Sequence, residues 1–165
     1  MTSLNAGMDR VLKRLHYPLD VMLTCVRWYV AYPLSLRHLE EMMAERGVSV
    51  DHSTVHRWAI KLLPALEKTF RRHKRAVGRS WRMDETYVKV NGEKIRQAKY
   101  LNNVVEQDHQ AIKRRTRPML GFKNFRCARI LLGGIEVMHM IKKGQMMCHH
   151  STARSAAQKF YALAA

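Results

Sequence analysis

The sequence of 165 residues predicts a mainly α-helical protein with a small β remnant. Apolar residues recur at three- and four-residue steps in residues 18–64 and 125–141, which is the period of amphipathic helices. A period of two is clear only from Met83 to Val90, and the hairpin signal Asn91-Gly92 follows it. The length fits one ordinary domain, or a small domain joined to a fragment of a larger one.

The charge of the chain points to a polyanionic partner. It holds 30 Lys and Arg against 13 Asp and Glu, a formal net charge of +17. Basic side chains at phosphates release condensed counterions, so nucleic acid is the favoured partner and a merely solvated basic surface is the alternative. No long basic amphipathic helix stands alone, which argues against a membrane-surface role.

The cysteines and the hydropathy pattern indicate a soluble cytoplasmic protein. Cys25, Cys127 and Cys148 lie far apart and form no C-x-x-C pair, which disfavours a disulfide framework or a zinc ribbon. Cys148-His149-His150 lacks a fourth ligand at suitable spacing, so its role stays open. Neither a signal peptide nor an apolar run of about 18 residues is present, so no membrane partner is expected.

Three predicted helices follow one another in residues 18–64, and a short turn containing Gly47 joins the last two. Ser35 is expected to cap the second helix, and Asp51 or Ser53 the third. This pattern is typical of a helix-turn-helix, although an ordinary three-helix bundle would share it. The start of the last helix would read base edges in the major groove. The predicted DNA-binding residues here are His52, Ser53, Thr54, His56, Arg57 and Lys61.

Pro64 is expected to break or restart the third helix. Seven basic residues then fall between positions 67 and 82, and they predict a basic linker that could track phosphates or form a solvated face. The predicted organisation is a loosely ordered arm (1–17), a helix-turn-helix domain (18–64), a basic linker (65–82), a region with one clear strand followed by helices (83–145) and a tail (146–165).

Two carboxylates lie in distinctive contexts. Asp84 is on the predicted strand, and Glu106 is on a helix expected to start at Asn102 or Asn103. A strand carboxylate followed by a helix carboxylate is the layout of nucleic-acid-cleaving sites of the ribonuclease-H type, where carboxylates hold two divalent ions about 3.5–4 Å apart. Local charge balance in a basic segment is the alternative.

Five blocks of the sequence resemble the insertion-sequence-six family of bacterial DDE transposases, in the family's order and over most of residues 18–145. The resemblance implies a helix-turn-helix that reads terminal inverted repeats of double-stranded DNA. It also implies a ribonuclease-H-like domain whose Asp-Asp-Glu triad uses Mg²⁺. The blocks are LRHLEEMMAERGVSVDHSTVHRWAIKLLP (36–64), MDETYVKVNG (83–92), KYLNNVVEQDH (99–109), LGFKNFRCA (120–128) and GIEVMHMIKKGQ (134–145).

The resemblance assigns roles to particular residues. Asp84 takes the first Asp position and Glu106 the Glu position, both as catalytic groups and metal ligands. Lys113 lies where such enzymes carry a basic residue that contacts the transposon end, and we assign Arg114 and Arg117 to the same contact. The implied cellular location is the bacterial cytoplasm, in association with the nucleoid.

The resemblance implies that residues 83–145 form a truncated catalytic domain, because the centre of the family's domain is missing from this chain. Only residues 93–98 lie between the Asn-Gly turn and the KYLNN block, where the family has further strands, a helix and its second Asp. A parallel strand would need a crossover of a dozen or more residues, which cannot fit there. We therefore expect weak or absent Mg²⁺ binding and little strand transfer by the chain alone.

Loss of the central strands also predicts a poorly stabilised C-terminal half. The apolar stripe of the last helix, from Phe125 to Ile141, would lack its normal partner, and proteolysis should leave a fragment of roughly residues 18–75. The leading hypothesis is an internally deleted transposase that retains DNA binding, alone or in a homo-oligomer or a hetero-oligomer with the full-length enzyme. The alternatives are a non-enzymatic regulator that competes for the same repeats, and a decayed reading frame.

Overall fold

A computed structural model of the chain describes residues 16–76, 88–90, 93–95, 99–119, 122, 124–147 and 155–164. Of these, residues 88–90, 93–95, 99–106 and 108 are described by their backbone alone. The mainly helical fold class is confirmed. The chain divides into two compact units, one of Met1–Arg75 with Arg115–Ala165 and one of Ala76–Arg114. The predicted domain boundaries stay a prediction.

The first unit begins with helices α1 (Leu19–Ala31), α2 (Leu36–Ala44) and α3 (His52–His73). Ser35 caps α2 in a reciprocal capping box with His38, as predicted for Ser35. The turn between α2 and α3 contains Gly47 at φ +72°, a left-handed conformation that glycine adopts without steric cost. The apolar faces of all three helices meet in one core, which includes Val26, Val30, Leu39, Val55, Trp58 and Leu62.

The expected break at Pro64 does not occur. Helix α3 is continuous over 22 residues with Pro64 inside it, so residues 65–73 are helical. A proline in a helix interior costs about 3 kcal/mol. Continuing the helix buries Leu66 and Phe70 completely, and each such side chain contributes about 1.5–3 kcal/mol. The exposed position of Pro64 keeps its ring out of the core, so burial outweighs the local penalty.

Helix α5 (Phe125–Lys142) completes the core by packing against α3 and α1. The predicted stripe was partly wrong, since Phe125 is 86% exposed and Leu132 is 39% exposed. The observed buried face is rotated about the helix axis relative to the predicted stripe, because α5 contacts α3 through the positions around Gly134. Its buried members are Leu131, Gly134, Ile135, Val137, Met138 and Ile141.

The C-terminal half was predicted to be poorly stabilised because the last helix would lack its normal partner, but α5 packs against α1 and α3. Its apolar face lies on the N-terminal helices, which the sequence pattern could not indicate. A backbone bridge strengthens this association: Lys74 pairs with Met146, and the amide of Met147 donates to the His73 carbonyl at 2.8 Å. The chain segments that follow α3 and α5 are thus joined directly.

A short helix, α6 (Ala156–Ala162), lies in the predicted tail. It begins with a capping box between Ser155 and Gln158, a sequence signal that the tail carries. Phe160 is fully buried, and α6 packs against α5 and α1. The tail is therefore part of the core at this point. Cys148, His149 and His150 lie outside the described residues.

The second unit contains strands β1 (Val88–Val90) and β2 (Glu93–Ile95), and nearly all of helix α4 (Lys99–Thr116). The strands pair antiparallel, with Val88 opposite Ile95 and Val90 opposite Glu93. Helix α4 starts before Asn102 and Asn103, so the predicted cap at these residues was wrong. Local capping preference is a weak signal that the surrounding helical sequence overrides here. A 3-10 turn, Arg117–Met119, follows α4 and belongs to the first unit.

Candidate nucleic-acid interface

The start of α3 is held by a side-chain cap. Asp51 precedes the helix with extended backbone, and its carboxylate accepts from the Ser53 amide at 2.9 Å and from the Ser53 hydroxyl. The hydrogen bond from the Ser53 side chain lowers the pKa of the Asp51 carboxyl, and the Ser53 amide and His52 act in the same direction. The Ser53 hydroxyl is thus engaged within the helix start.

His52 connects α2 to the start of α3. Its Nδ1 lies 3.1 Å from Glu40 Oε2 and 3.0 Å from Asp51 Oδ1. Among the described residues, these three form the one group of His, Asp and Glu whose ligand atoms lie within 4.8 Å of one another. The ring nitrogen of His52 thus faces two carboxylates at the start of α3, and its hydrogen bond with Glu40 joins this helix start to α2.

Three of the predicted base-reading residues border a cavity. His52, Ser53 and His56 line a space of about 250 Å³ within the first unit. The opposite wall comes from the segment that leads into α5, including Phe122 and Asn124. Half of the predicted reading set therefore borders this cavity, and the assignment of these residues to DNA stays a prediction. The whole wall consists of Tyr29, Leu36, His52, Ser53, His56, Met119, Phe122, Asn124, Cys127 and Leu131.

The other members of the set, Thr54, Arg57 and Lys61, do not line this cavity, and Arg57 and Lys61 share one exposed face of α3. Arg57 and Lys61 are exposed, and the Arg57 guanidinium donates to the Thr54 hydroxyl at 2.8 Å. Because α3 continues through Pro64, Lys68 and Arg72 lie on this face as well. At 100° per residue these four basic positions fall within an arc of about 60°. We call the exposed residues Arg57, Lys61, Lys68 and Arg72 the basic stripe.

Sequence reasoning missed half of this stripe. Lys68 and Arg72 were noted only as members of a basic linker, since a helix ending at Pro64 would not align them with Arg57. The stripe lies opposite the buried face of α3, which includes Trp58, Leu62 and Leu66. The signal that could have found it is the continued apolar spacing from Leu62 to Phe70.

The basic residues near the end of α4 are exposed. Lys113, Arg114 and Arg117 all lie at the surface, as contact with a polyanion would require. Arg115 between them differs, because its Nη1 atom is buried and has no hydrogen-bond partner among the described residues. Burial lowers the pKa of the Arg115 guanidinium. The sequence offered no means of separating Arg115 from its basic neighbours.

The predicted catalytic pair cannot be placed as a pair. Asp84 lies outside the described residues, and Glu106 is described only as a backbone position in the middle of α4. Lys113 follows Glu106 by seven residues on the same helix, which places both on similar faces. The assignment of Asp84 and Glu106 as metal ligands stays a prediction.

Comparison with known proteins identifies the class of protein to which these elements correspond. A family model described as a DDE domain, of the IS240 type of transposase, matches residues 93–145. That segment contains β2, α4 and α5. The chain is thus similar to the DDE transposases of insertion sequences, and the resemblance to the insertion-sequence-six family is confirmed.

The similar curated proteins are staphylococcal. The transposase for insertion sequence-like element IS431mec of Staphylococcus aureus N315 is 41% identical over 73 residues, which is 44% of this chain and 33% of the relative. The transposase for insertion sequence element IS257 in transposon Tn4003 of Staphylococcus aureus is 40% identical over 73 residues, with the same coverage of both chains. The matched region spans about a third of these relatives. No solved structure matches the chain.

Transposases act on DNA, and those of the DDE class generally use Mg²⁺. No helix among the described residues has both the length and the apolar character needed to span a membrane.

Proposed function

We propose that this chain is a transposase-derived DNA-binding protein that recognises the terminal inverted repeats of an insertion sequence through α2 and α3. We also propose that the chain alone does not catalyse strand transfer. The observation that carries it is the basic stripe. Four exposed cations on one face of one helix provide a continuous surface for phosphates, whereas dispersed surface charge would not.

The dimensions of the stripe suit a duplex. Arg57 and Arg72 are 15 positions apart, which corresponds to about 22 Å along a helix. The nearest carboxylate of α3, that of Glu67, lies off the stripe and is paired with Arg71 at 2.5 Å. The stripe itself therefore presents positive charge without a competing acidic group from α3. Arg and Lys contacts to phosphates position a protein on DNA, and short polar side chains near them read the bases.

The base-reading role falls first to Thr54 and Arg57. Both lie in the first two turns of α3, the part of a recognition helix that enters the major groove. Arg57 is long enough to pair with a guanine edge, a contact that commonly gives base specificity. His52, Ser53 and His56 border the cavity beside Phe122, so we assign them a supporting role at the edge of the contact. Lys113, Arg114 and Arg117 would contact the transposon end.

Catalysis is proposed to be defective because the second Asp of the triad has no counterpart between positions 93 and 98. Asp84 and Glu106 would provide two ligands, and Mg²⁺ sheds its water reluctantly unless several oxygens replace it. The alternative function is a regulator that occupies the same repeats and competes with intact transposase, alone or in a hetero-oligomer.

An electrophoretic mobility shift with the inverted repeats of the surrounding element tests DNA binding. Wild type should bind specifically, and Arg57→Ala should lose about 1–3 kcal/mol of specific binding and discriminate less among sequences. Lys68→Ala should weaken binding to all sequences and lower the salt slope by about one. Arg129→Ala, an exposed arginine on α5, is the control. Equal binding to repeats and random DNA would refute specific recognition.

A strand-transfer assay with Mg²⁺ or Mn²⁺ tests the catalytic part. No product is expected from the chain alone. Product formation that Asp84→Ala abolishes would refute the loss of activity. Inhibition of intact transposase by this chain, removed by Arg57→Ala, would favour the regulator.

A further inference from the structure

A second group of cations lies away from the basic stripe, at the C-terminal end of α1. It contains Arg27 from α1 and Lys142 from the last turn of α5, and Arg115 from the end of α4 lies near enough to Lys142 for its charge to act on that ammonium. All three belong to the first compact unit. Tyr32 lies beside both Arg27 and Lys142. The centroid of its ring is 6.0 Å from the Arg27 guanidinium carbon and 5.4 Å from Lys142 Nζ.

Arg115 gives the clearest indication that a ligand is absent from this group. Its Nη1 is buried and has no hydrogen-bond partner among the described residues. Native proteins rarely leave a buried polar atom unpaired, and a bound ion or water is a common reason when they do. Arg115 is half-buried as a whole, so its unpaired donor lies on the buried side of the guanidinium.

The lowered pKa of Lys142 reflects its partial burial and the repulsion from the neighbouring cations. Burial lowers the pKa of its ammonium, and the charges of Arg115 and Arg27 lower it further, with Tyr32 acting in the opposite direction. Lys142 Nζ lies 3.4 Å from the Ala31 carbonyl oxygen. That contact supports the end of α1 but provides no negative charge.

Arg27 is fixed in place and retains donors. Its Nε donates to the Tyr161 hydroxyl at 2.9 Å, and its guanidinium lies over the Tyr161 ring at 5.4 Å. Within the described part of the chain, its terminal nitrogens make no hydrogen bond, and no carboxylate pairs with any of the three cations. The three like charges thus lie near one another without a carboxylate partner among the described residues.

We propose that Arg27, Arg115 and Lys142 form a binding site for a phosphate group. A tetrahedral oxyanion can accept hydrogen bonds from two guanidinium groups and one ammonium at once, and Arg is well suited to bidentate phosphate contacts. The group is either a phosphate of the DNA backbone or free inorganic phosphate. The backbone case rests on the proposed function, whereas the site itself does not.

Thermal unfolding of the full chain in inorganic phosphate, against chloride at the same ionic strength and pH, tests the site. Wild type should gain about 2–5 °C in Tm once phosphate is about tenfold above its Kd. Lys142→Gln should lose this gain, and Arg129→Gln, which removes the same charge from an exposed position of α5, should keep it. Arg27→Gln gives a second variant in which the gain should be lost. The same phosphate response in wild type and Lys142→Gln, or no response in either, overturns the proposal.

Binding to duplex DNA then identifies the source of the phosphate. If the site holds a backbone phosphate, Lys142→Gln should lower the slope of log K against log salt by about one relative to Arg129→Gln. An unchanged slope together with phosphate-dependent stabilisation would assign the site to the free anion. Failure of wild type to bind DNA would reject the proposed function and leave the phosphate measurement valid.

Discussion

The backbone of Gly134 lies directly against the side chain of Leu63: a Cβ atom at position 134 would be 2.7 Å from Leu63 Cδ2 and 2.8 Å from Leu63 Cδ1. Both residues are buried. This close approach joins α5 to α3 at the middle of the core. Helix α5, which lies in the segment that matches the DDE domain, is therefore a structural part of the helical domain that carries the predicted DNA-binding residues.

Gly134→Ala is expected to destabilise the protein by about 1–3 kcal/mol, because the new methyl group would displace Leu63 or separate the two helices. Urea unfolding followed by far-UV circular dichroism measures the change. Gly133→Ala is the matched control. A Cβ there would lie 3.1 Å from the flexible Glu67 carboxylate, so a gain of up to about 1 kcal/mol in helix propensity is expected. Equal effects of the two substitutions would refute the close contact.

The dependence on Leu63 can be isolated by a double-mutant cycle. Leu63→Ala alone should cost about 2–5 kcal/mol, as for other buried leucines. Added to Gly134→Ala, it should cost less, because the methyl group at position 134 then occupies space that the leucine has left. Additive effects of the two substitutions would contradict direct contact.

Residues 16–76 should not form a stable fold without α5. Removal of α5 would expose the buried side chains of Leu63, Leu66 and Phe70 on α3. We expect this fragment to show little cooperative unfolding, and limited proteolysis of the full chain to leave two pieces that co-elute in size-exclusion chromatography. A single stable fragment of about residues 18–75, as the sequence pattern suggested, would refute the observed packing.

Acid should weaken the start of α3 through Asp51. The pKa of its carboxyl is lowered in the folded state, first by the hydrogen bond from the Ser53 side chain. The contribution of this group to stability is therefore complete above its unfolded pKa of about 4 and is lost as the pH falls through the lower folded value. Asp51→Ala should be less stable than wild type at neutral pH, and this difference should shrink in acid.

The measurement for Asp51 is the urea midpoint at neutral pH and at a series of pH values below about 4, the unfolded pKa of the carboxyl. Asp20→Ala removes an exposed aspartate from the first turn of α1 and serves as the control. A difference between Asp51→Ala and wild type that is the same at both pH values would contradict the capping role.

Alkaline conditions should destabilise the core through Cys25. Burial raises the pKa of its thiol from 9.0 to about 11 and that of the Tyr29 phenol from 10.0 to about 12. Both groups stabilise the fold fully below their unfolded pKa values, and this contribution is lost as the pH rises through the folded values. Cys25→Val should therefore reduce the loss of stability above pH about 9. Cys127→Ala, at a partly exposed cysteine, should leave the loss unchanged; equal pH slopes for Cys25→Val and wild type would contradict the prediction.

Local signals in the sequence determined most of the element starts. Ser35 caps α2 as predicted, and Asp51, one of the two residues predicted for α3, caps that helix. Val55, Trp58 and Leu62 occupy the core as their spacing indicates. Gly144 ends α5 with φ +73°, which also follows from its position after Lys142 and Lys143. These features depend on residues within a few positions of one another, so the sequence alone contains the information.

The course of α3 through Pro64 and the partner of α5 depended on the tertiary structure. Proline opposes a helix locally, and only the burial of Leu66 and Phe70 against other helices outweighs that penalty. The apolar stripe of α5 indicated that a partner was needed but could not say which one, because many apolar faces satisfy the same hydrophobic requirement. The sequence thus determined the helices, the charge and the kinship with DDE transposases. Contacts between residues far apart in the chain determined which helix faces pack together. These contacts keep α3 continuous, which places Lys68 and Arg72 in line with Arg57. They also bring Arg115 close to Lys142.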